Sequence, residues 1–224
     1  MSDKHAEKKK PKSFLGKAWY FIWDDDSALS WIVNIIIAFV LIKFLIYPGL
    51  GFVLGTSHPV VAVVSGSMEH TLSGGTICGQ RPDGYDAGFD SFWAACGGFY
   101  SGFDIDKAKF EKFSFKNGFN TGDIIVLFGK KPEKVNVGDV IVFRADKPDP
   151  IIHRVIKKWN EDGKYYFSTK GDHNHDQLYF ESRIGEDRVI GRAYFKIPWL
   201  GYIKIWFVDF LKMIGLSNSL GRLF

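Results

Sequence analysis

The apolar positions of this chain follow two rhythms. From Ala28 to Tyr47 they form one nearly unbroken run, ALSWIVNIIIAFVLIKFLIY. Its length matches the roughly 20 residues a helix needs to cross the hydrocarbon core of a bilayer. Between Ala28 and Ile42 only Ser30 and Asn34 are polar, so the run lacks the polar face that core helices keep. A cleaved signal peptide would have a shorter apolar stretch that ends in a small-residue cleavage site. The pattern predicts a transmembrane anchor over residues 28–48. Lys43, near its far end, can carry its ammonium to the interface on a long stem.

After Pro48 and a glycine-rich bend at Gly49, Gly51 and Gly55, the rhythm shortens. PVVAVV at 59–64 is β-branched, and DIIVLFG at 123–129 and DVIVFRA at 139–145 each follow a glycine at a turn. IIHRVIKKW at 151–159 alternates, EDG at 161–163 is a hairpin signal, and KYYFSTK at 164–170 returns as its partner. RVIGRAYFKI at 188–197 is a further strand with a glycine kink. Regularly spaced strands predict a mainly β domain over residues 49–197, built as a barrel or a folded sheet.

Residues 73–121 interrupt this order with a segment dense in glycine and phenylalanine, and a short helix is expected around Asp106 to Phe113. A segment of this length between strands suggests a lid, a membrane-contact element or a loose loop. It contains both cysteines, Cys78 and Cys96. On an exported domain they suit a disulfide, with two buried thiols as the alternative. At the end of the chain (198–224), Lys204, Asp209 and Lys212 punctuate PWLGYIKIWFVDFLKMIGL. Those charges, with Lys196, argue against a second span and for an amphipathic helix lying in the interface, a packed terminal helix being the alternative.

Charge orients the anchor. Lys4, Lys8, Lys9, Lys10, Lys12 and Lys17 precede it in a basic N-terminus (1–27), which predicts that this end stays in the cytoplasm and the β domain lies outside the cell membrane. Trp19, Tyr20, Trp23 and Trp31 on one side and Tyr47 on the other suit the aromatic belts. Net charge is only +4 over 224 residues and no basic stripe crosses the β domain, so nucleic acid is a poor partner.

Ser67 stands in Ser65-Gly66-Ser67-Met68 just after a β-branched strand. Alone it is a turn residue; it becomes a candidate nucleophile with a base to take its proton and donors to hold an oxyanion. His153, in the alternating strand, is the best base among six histidines. Asp172 and Asp176 lie in the turn after the partner strand, which the hairpin brings near His153, so either could orient the imidazole. His173 and His175 beside them invite a metal, but one H-x-H falls short of the three placed ligands zinc catalysis needs. Neither a metal nor another cofactor is expected. His5, His58 and His70 read as ordinary residues.

Together, SGSMEHTL after its strand, VNVGDVIVFRADKPDPIIHRV and FSTKGDHN resemble, in content and order, the type I signal peptidases, closer to the archaeal and endoplasmic-reticulum branch than to the bacterial one. The resemblance covers most of 59–195 outside the insertion. It implies a mainly β signal-peptidase-like domain on an N-terminal membrane helix, a serine endopeptidase that removes signal peptides. Ser67 matches the nucleophile, and Ser65 is implied to help form the oxyanion hole. His153 stands where bacterial relatives carry a lysine base. Asp172 matches the aspartate of the Gly-Asp block, and Asp176 stands closer to it than that branch's second aspartate does, so both remain candidates. Implied partners are signal-peptide-bearing preproteins and membrane lipid, near the Sec translocon. A self-cleaving repressor-like protease would need a DNA-binding N-terminus, and a peptidase for a narrow set of precursors would share the same residues. A non-catalytic, membrane-tethered β-domain that binds an envelope partner predicts instead that Ser67 and His153 lie apart.

Overall fold

The computed structural model describes residues 13–213. The chain divides between Leu50 and Gly51 into two compact units. The N-terminal lysines up to Lys12, and residues 214–224 of the expected terminal helix, lie outside the described residues.

Two serine caps start the first unit's helices. Ser13 accepts from Gly16 N–H at 3.1 Å to open α1 (Phe14–Trp23), and Ser27 accepts from Ser30 N–H at 3.2 Å to open α2 (Ala28–Leu41). The run's two polar residues also have partners. Ser30 Oγ donates to Phe21 O at 2.5 Å and Asn34 Nδ2 to Ile22 O at 2.9 Å. These carbonyls end α1 and have no acceptor role inside their own helix.

The helix continues past Pro48, further than the expected anchor. Proline lacks an N–H, and its ring crowds the carbonyl four residues back. A π-turn at Ile42–Ile46, in which Tyr47 N–H reaches Ile42 O, widens the backbone just before it. α3 (Tyr47–Leu54) then completes a helical run Ala28–Leu54 of 27 residues, about 40 Å long. That run is long and apolar enough to cross a membrane. After this run the chain turns left-handed at Gly55, φ 64°.

The second unit is built on one seven-stranded sheet. Its strands are β1 (Val60–Ala62), β2 (Ile124–Phe128), β3 (Val140–Phe143), β4 (Ile151–Glu161), β5 (Lys164–Lys170), β6 (Ile184–Gly185) and β7 (Val189–Ile197). They lie in the order β1-β2-β7-β3-β4-β5-β6, every pair antiparallel. β7 returns to sit between β2 and β3. Register shifts opposite Val126/Leu127 and Val142/Phe143 mark bulges where it bends to pair with both. The β4–β5 hairpin closes through Asp162 (φ 50°) and Gly163 (φ 78°), the two left-handed residues of a tight hairpin turn. Val63, Met68, Ile125 and Leu127 fill one core, and Ile141, Phe143, Val155 and Phe167 another.

The insertion has a core of its own. α4 (Phe89–Ser101) and α5 (Lys107–Phe110) pack Phe92, Tyr100 and Phe110 together, with Tyr100 and Phe110 edge-on at 4.7 Å. Glycines make α4 hard to read from sequence, yet one is needed: a Cβ at Gly97 would stand 2.6 Å from the Trp93 indole. The helical cost of about 1 kcal/mol is thus offset by ring packing. Cys78 and Cys96 form a disulfide that ties α4 to the loop before it. α6 (Tyr202–Met213) follows the sheet with Ile203, Trp206, Phe210 and Met213 exposed.

A cross-link across 18 residues restricts the unfolded chain and stabilises by about 3 kcal/mol. Cys96→Ala should lower the thermal midpoint of the detergent-solubilised protein as much as reduction of the wild type does. An unchanged midpoint in both would show that the aromatic core holds the insertion unaided.

Candidate active site

Ser67 is held from several sides. Glu69 N–H returns to Gly66 O at 3.0 Å, Phe119 N–H donates to Met68 O at 3.1 Å, and His173 N–H donates to Ser67 O at 2.9 Å. Met68 is buried as a plug beneath the turn, while Ser67 stays half-buried and reachable. The hydroxyls of Ser65 and Ser67 are 3.3 Å apart.

His153 reaches the serine from β4, in register with Ile141 of β3. Its Nε2 is 2.9 Å from Ser67 Oγ, and its Nδ1 is 2.5 Å from Glu181 Oε1. Glu181 closes a short 3₁₀ turn, Tyr179–Glu181, and is fully buried. Thr169 Oγ1 donates to Oε1 and Leu178 N–H to Oε2, both at 2.9 Å. The carboxylate is therefore fixed by its own turn and by β5 before it meets the imidazole.

The structure puts neither expected aspartate on His153. Successive residues of a strand face opposite sides, so Arg154, not His153, points toward Asp172. Arg154 grips that carboxylate through Nε at 2.9 Å and Nη2 at 2.7 Å. Tyr100 OH donates to Oδ1 at 2.8 Å, and His70 Nε2 to Oδ2 at 3.0 Å. Burial alone would raise the Asp172 carboxyl, but the Arg154 charge and the bonds from His70 and Arg154 outweigh it and hold the group well below the usual carboxylate range. Asp176 is exposed and pairs with His175 Nδ1 at 2.8 Å. His173 Nδ1 lies 3.2 Å from Glu69 O. Sequence reasoning missed Glu181. Its only signal is an acid three residues after Leu178, the spacing at which a side chain caps its own turn.

Around Asp172 the titrating groups are tuned chiefly by burial. Burial pushes Tyr100 up, helped by the Asp172 charge, so the phenol remains a donor. Burial pulls His70 below its ordinary 6.5 despite Asp172, and the ring stacks on Phe92 at 3.5 Å. Burial also lowers Lys170 to about 8, against the charges of Asp172 and Glu181. Its ammonium lies over the Phe99 and Tyr100 rings at 4.9 and 5.2 Å.

A half-buried serine, an imidazole and a buried carboxylate in line on an antiparallel sheet form the arrangement a serine acyl-transfer site requires. No family model matches the chain. It is 30% identical over 182 residues to the signal peptidase complex catalytic subunit sec11 of Schizosaccharomyces pombe, spanning 77% of this chain and 80% of that one. It is 34% identical over 192 residues to the signal peptidase complex catalytic subunit SEC11 of Saccharomyces cerevisiae, spanning 80% of this chain and 87% of that one. The chain belongs to the family of signal peptidase catalytic subunits.

Asp172→Asn keeps the shape but leaves the buried guanidinium unanswered. It should cost about 3–5 kcal/mol of stability, measured by denaturant unfolding; a loss below about 1 kcal/mol would place the pair among exposed ones.

Acid should erode stability in two stages. Folded His70 binds protons less readily than an unfolded histidine, so its contribution is complete above 6.5 and falls as pH drops below it. Asp172 behaves likewise from its ordinary 3.8 downward. Unfolding free energy should therefore fall between pH 7 and 5, and fall less in His70→Gln. Equal slopes would remove His70 from the account.

Proposed function

We propose that this chain is a membrane-anchored serine endopeptidase that cleaves signal peptides from exported preproteins, with Ser67 as nucleophile, His153 as general base and Glu181 as the orienting acid. The observation that carries the assignment is the unbroken contact Ser67 Oγ–His153 Nε2–Glu181 at 2.9 and 2.5 Å. A non-catalytic domain needs no such alignment, and it predicts the serine and histidine apart.

In the proposed reaction, His153 Nε2 takes the hydroxyl proton as Ser67 Oγ attacks the scissile carbonyl. Glu181 holds Nδ1 protonated toward itself and stabilises the imidazolium. Collapse of the tetrahedral intermediate sends the proton from Nε2 to the leaving amine and leaves the acyl chain on Ser67. Water, deprotonated by the same nitrogen, then releases it. The Ser65 hydroxyl, 3.3 Å from the nucleophile, supports a share for that residue in the oxyanion hole. Asp172 acts through Arg154 and the loop at 171–174, as a positioning residue.

Among the described residues β1 pairs only with β2 and ends the sheet order just before Ser67, which suits docking of an extended substrate by strand addition. The helix Ala28–Leu54 tethers the enzyme to a membrane, and the N-terminal lysines support an orientation with the β domain on the exported side of the cell membrane. The exposed aromatic face of α6, with Trp206, suits an interfacial helix. The relatives are named as subunits of a complex, which supports further protein partners and work near the Sec translocon.

With a preprotein in liposomes, Ser67→Ala and His153→Ala should lower cleavage on the order of 10⁴-fold or more with folding intact. Glu181→Gln should lose about 10³–10⁴-fold, mainly in kcat, while Asp176→Asn stays near wild type. If Asp176→Asn loses more than Glu181→Gln, the orienting role belongs to Asp176.

A further inference from the structure

Three polar atoms meet over Gly171. A Cβ on that glycine would stand 2.7 Å from His153 Nε2, 2.7 Å from Asn174 Nδ2 and 2.8 Å from Ser67 O. The Asn174 amide thus shares one contact shell with the nitrogen that touches the Ser67 hydroxyl. Its backbone is fixed there: Asn174 N–H returns to Gly171 O at 3.0 Å, and the neighbouring His173 N–H bonds Ser67 O at 2.9 Å. Asn174 is half-buried, and among the described residues no hydrogen bond engages its side chain.

An amide carries two donor hydrogens and an acceptor oxygen. Covered by a bound chain and left unpaired, it would penalise binding, so the substrate has to supply its partner. Nε2 is the nitrogen that returns the proton to the departing amine. A donor beside it faces the part of the substrate beyond the scissile bond. On the peptidase reading of Ser67, we propose that Asn174 is a catalytic residue whose Nδ2–H donates to the first main-chain carbonyl on the leaving-group side. It holds the amine against His153 and exchanges no proton itself. The acceptor is a peptide carbonyl, so the contact is independent of side chain and suits an enzyme that cuts ahead of varied mature sequences.

Two substrates with the same residues before the cut separate the roles. One continues as a peptide beyond the scissile bond; the other ends in a p-nitroanilide, which offers no main-chain carbonyl there. The full-length protein in detergent is assayed as wild type, Asn174→Ala and Asn174→Asp. Both variants should lose about 10-fold to 100-fold more kcat/KM on the peptide than on the anilide. An equal loss on both, or none on either, overturns the contact and leaves Asn174 a loop residue. If the wild type shows no Ser67-dependent cleavage of either, the peptidase reading fails and takes this inference with it.

Discussion

The buried Arg154–Asp172 pair is the constraint around which the second unit is organised. Both side chains are fully removed from water, and two dehydrated charges are tolerable only if their hydrogen bonds are complete. They are. Two guanidinium donors go to the carboxylate and the other three to the carbonyls of Ser114, Gly138 and Phe115. Phe110 lies 4.7 Å from the guanidinium and covers it. The carboxylate takes its remaining bonds from Tyr100 and His70. One ion pair therefore needs β4, the loop after β5, the turn after Ser67 and the insertion in place at once. Loss of any one would leave a buried charge short of a partner.

This explains why a segment with the composition of a loose loop is packed. The insertion supplies Tyr100, Phe110 and the carbonyls of Ser114 and Phe115 to the pair, and its disulfide fixes α4 while Cys78 N–H bonds His173 O at 2.9 Å. Alternation along β4 then separates two tasks. Arg154 faces the supporting network and His153 faces the serine, and the loop at 171–174 links the two faces through Asp172 and His173 N–H.

Elements set by local chemistry were legible in the sequence. The Asp162–Gly163 turn, the strand pair around it, the apolar run and the serine after a β-branched strand all follow from periodicity and turn residues. The pairing of His153 with Ser67 was implied by the resemblance of these blocks to the type I signal peptidases. Contacts set by long-range geometry were not legible. Glu181 becomes relevant only when a 3₁₀ turn brings it back under β4, and its capping distance from Leu178 says nothing about His153. Asp172 and Asp176 looked closer because the hairpin carries them toward His153, but sequence distance does not tell which face a strand residue presents. α3 was hidden by Pro48, because a π-turn that accommodates proline has no sequence signature of its own.

The same logic gives a physical reason for placing the acid on a turn and not on the Gly-Asp loop. Gly171 lies so close to His153 Nε2 and Ser67 O that any side chain there would collide with both. The loop is consequently used for main-chain support of Ser67, through His173 N–H, and Asp172 is turned away into the Arg154 network. The far nitrogen of the imidazole must then be met from the other side of β5. There Thr169 and the turn at Leu178 already hold a carboxylate with the reach of a glutamate. Ser67 and Glu181 thus approach His153 from separately anchored backbones, and the imidazole between them is ordered by folding before a substrate arrives.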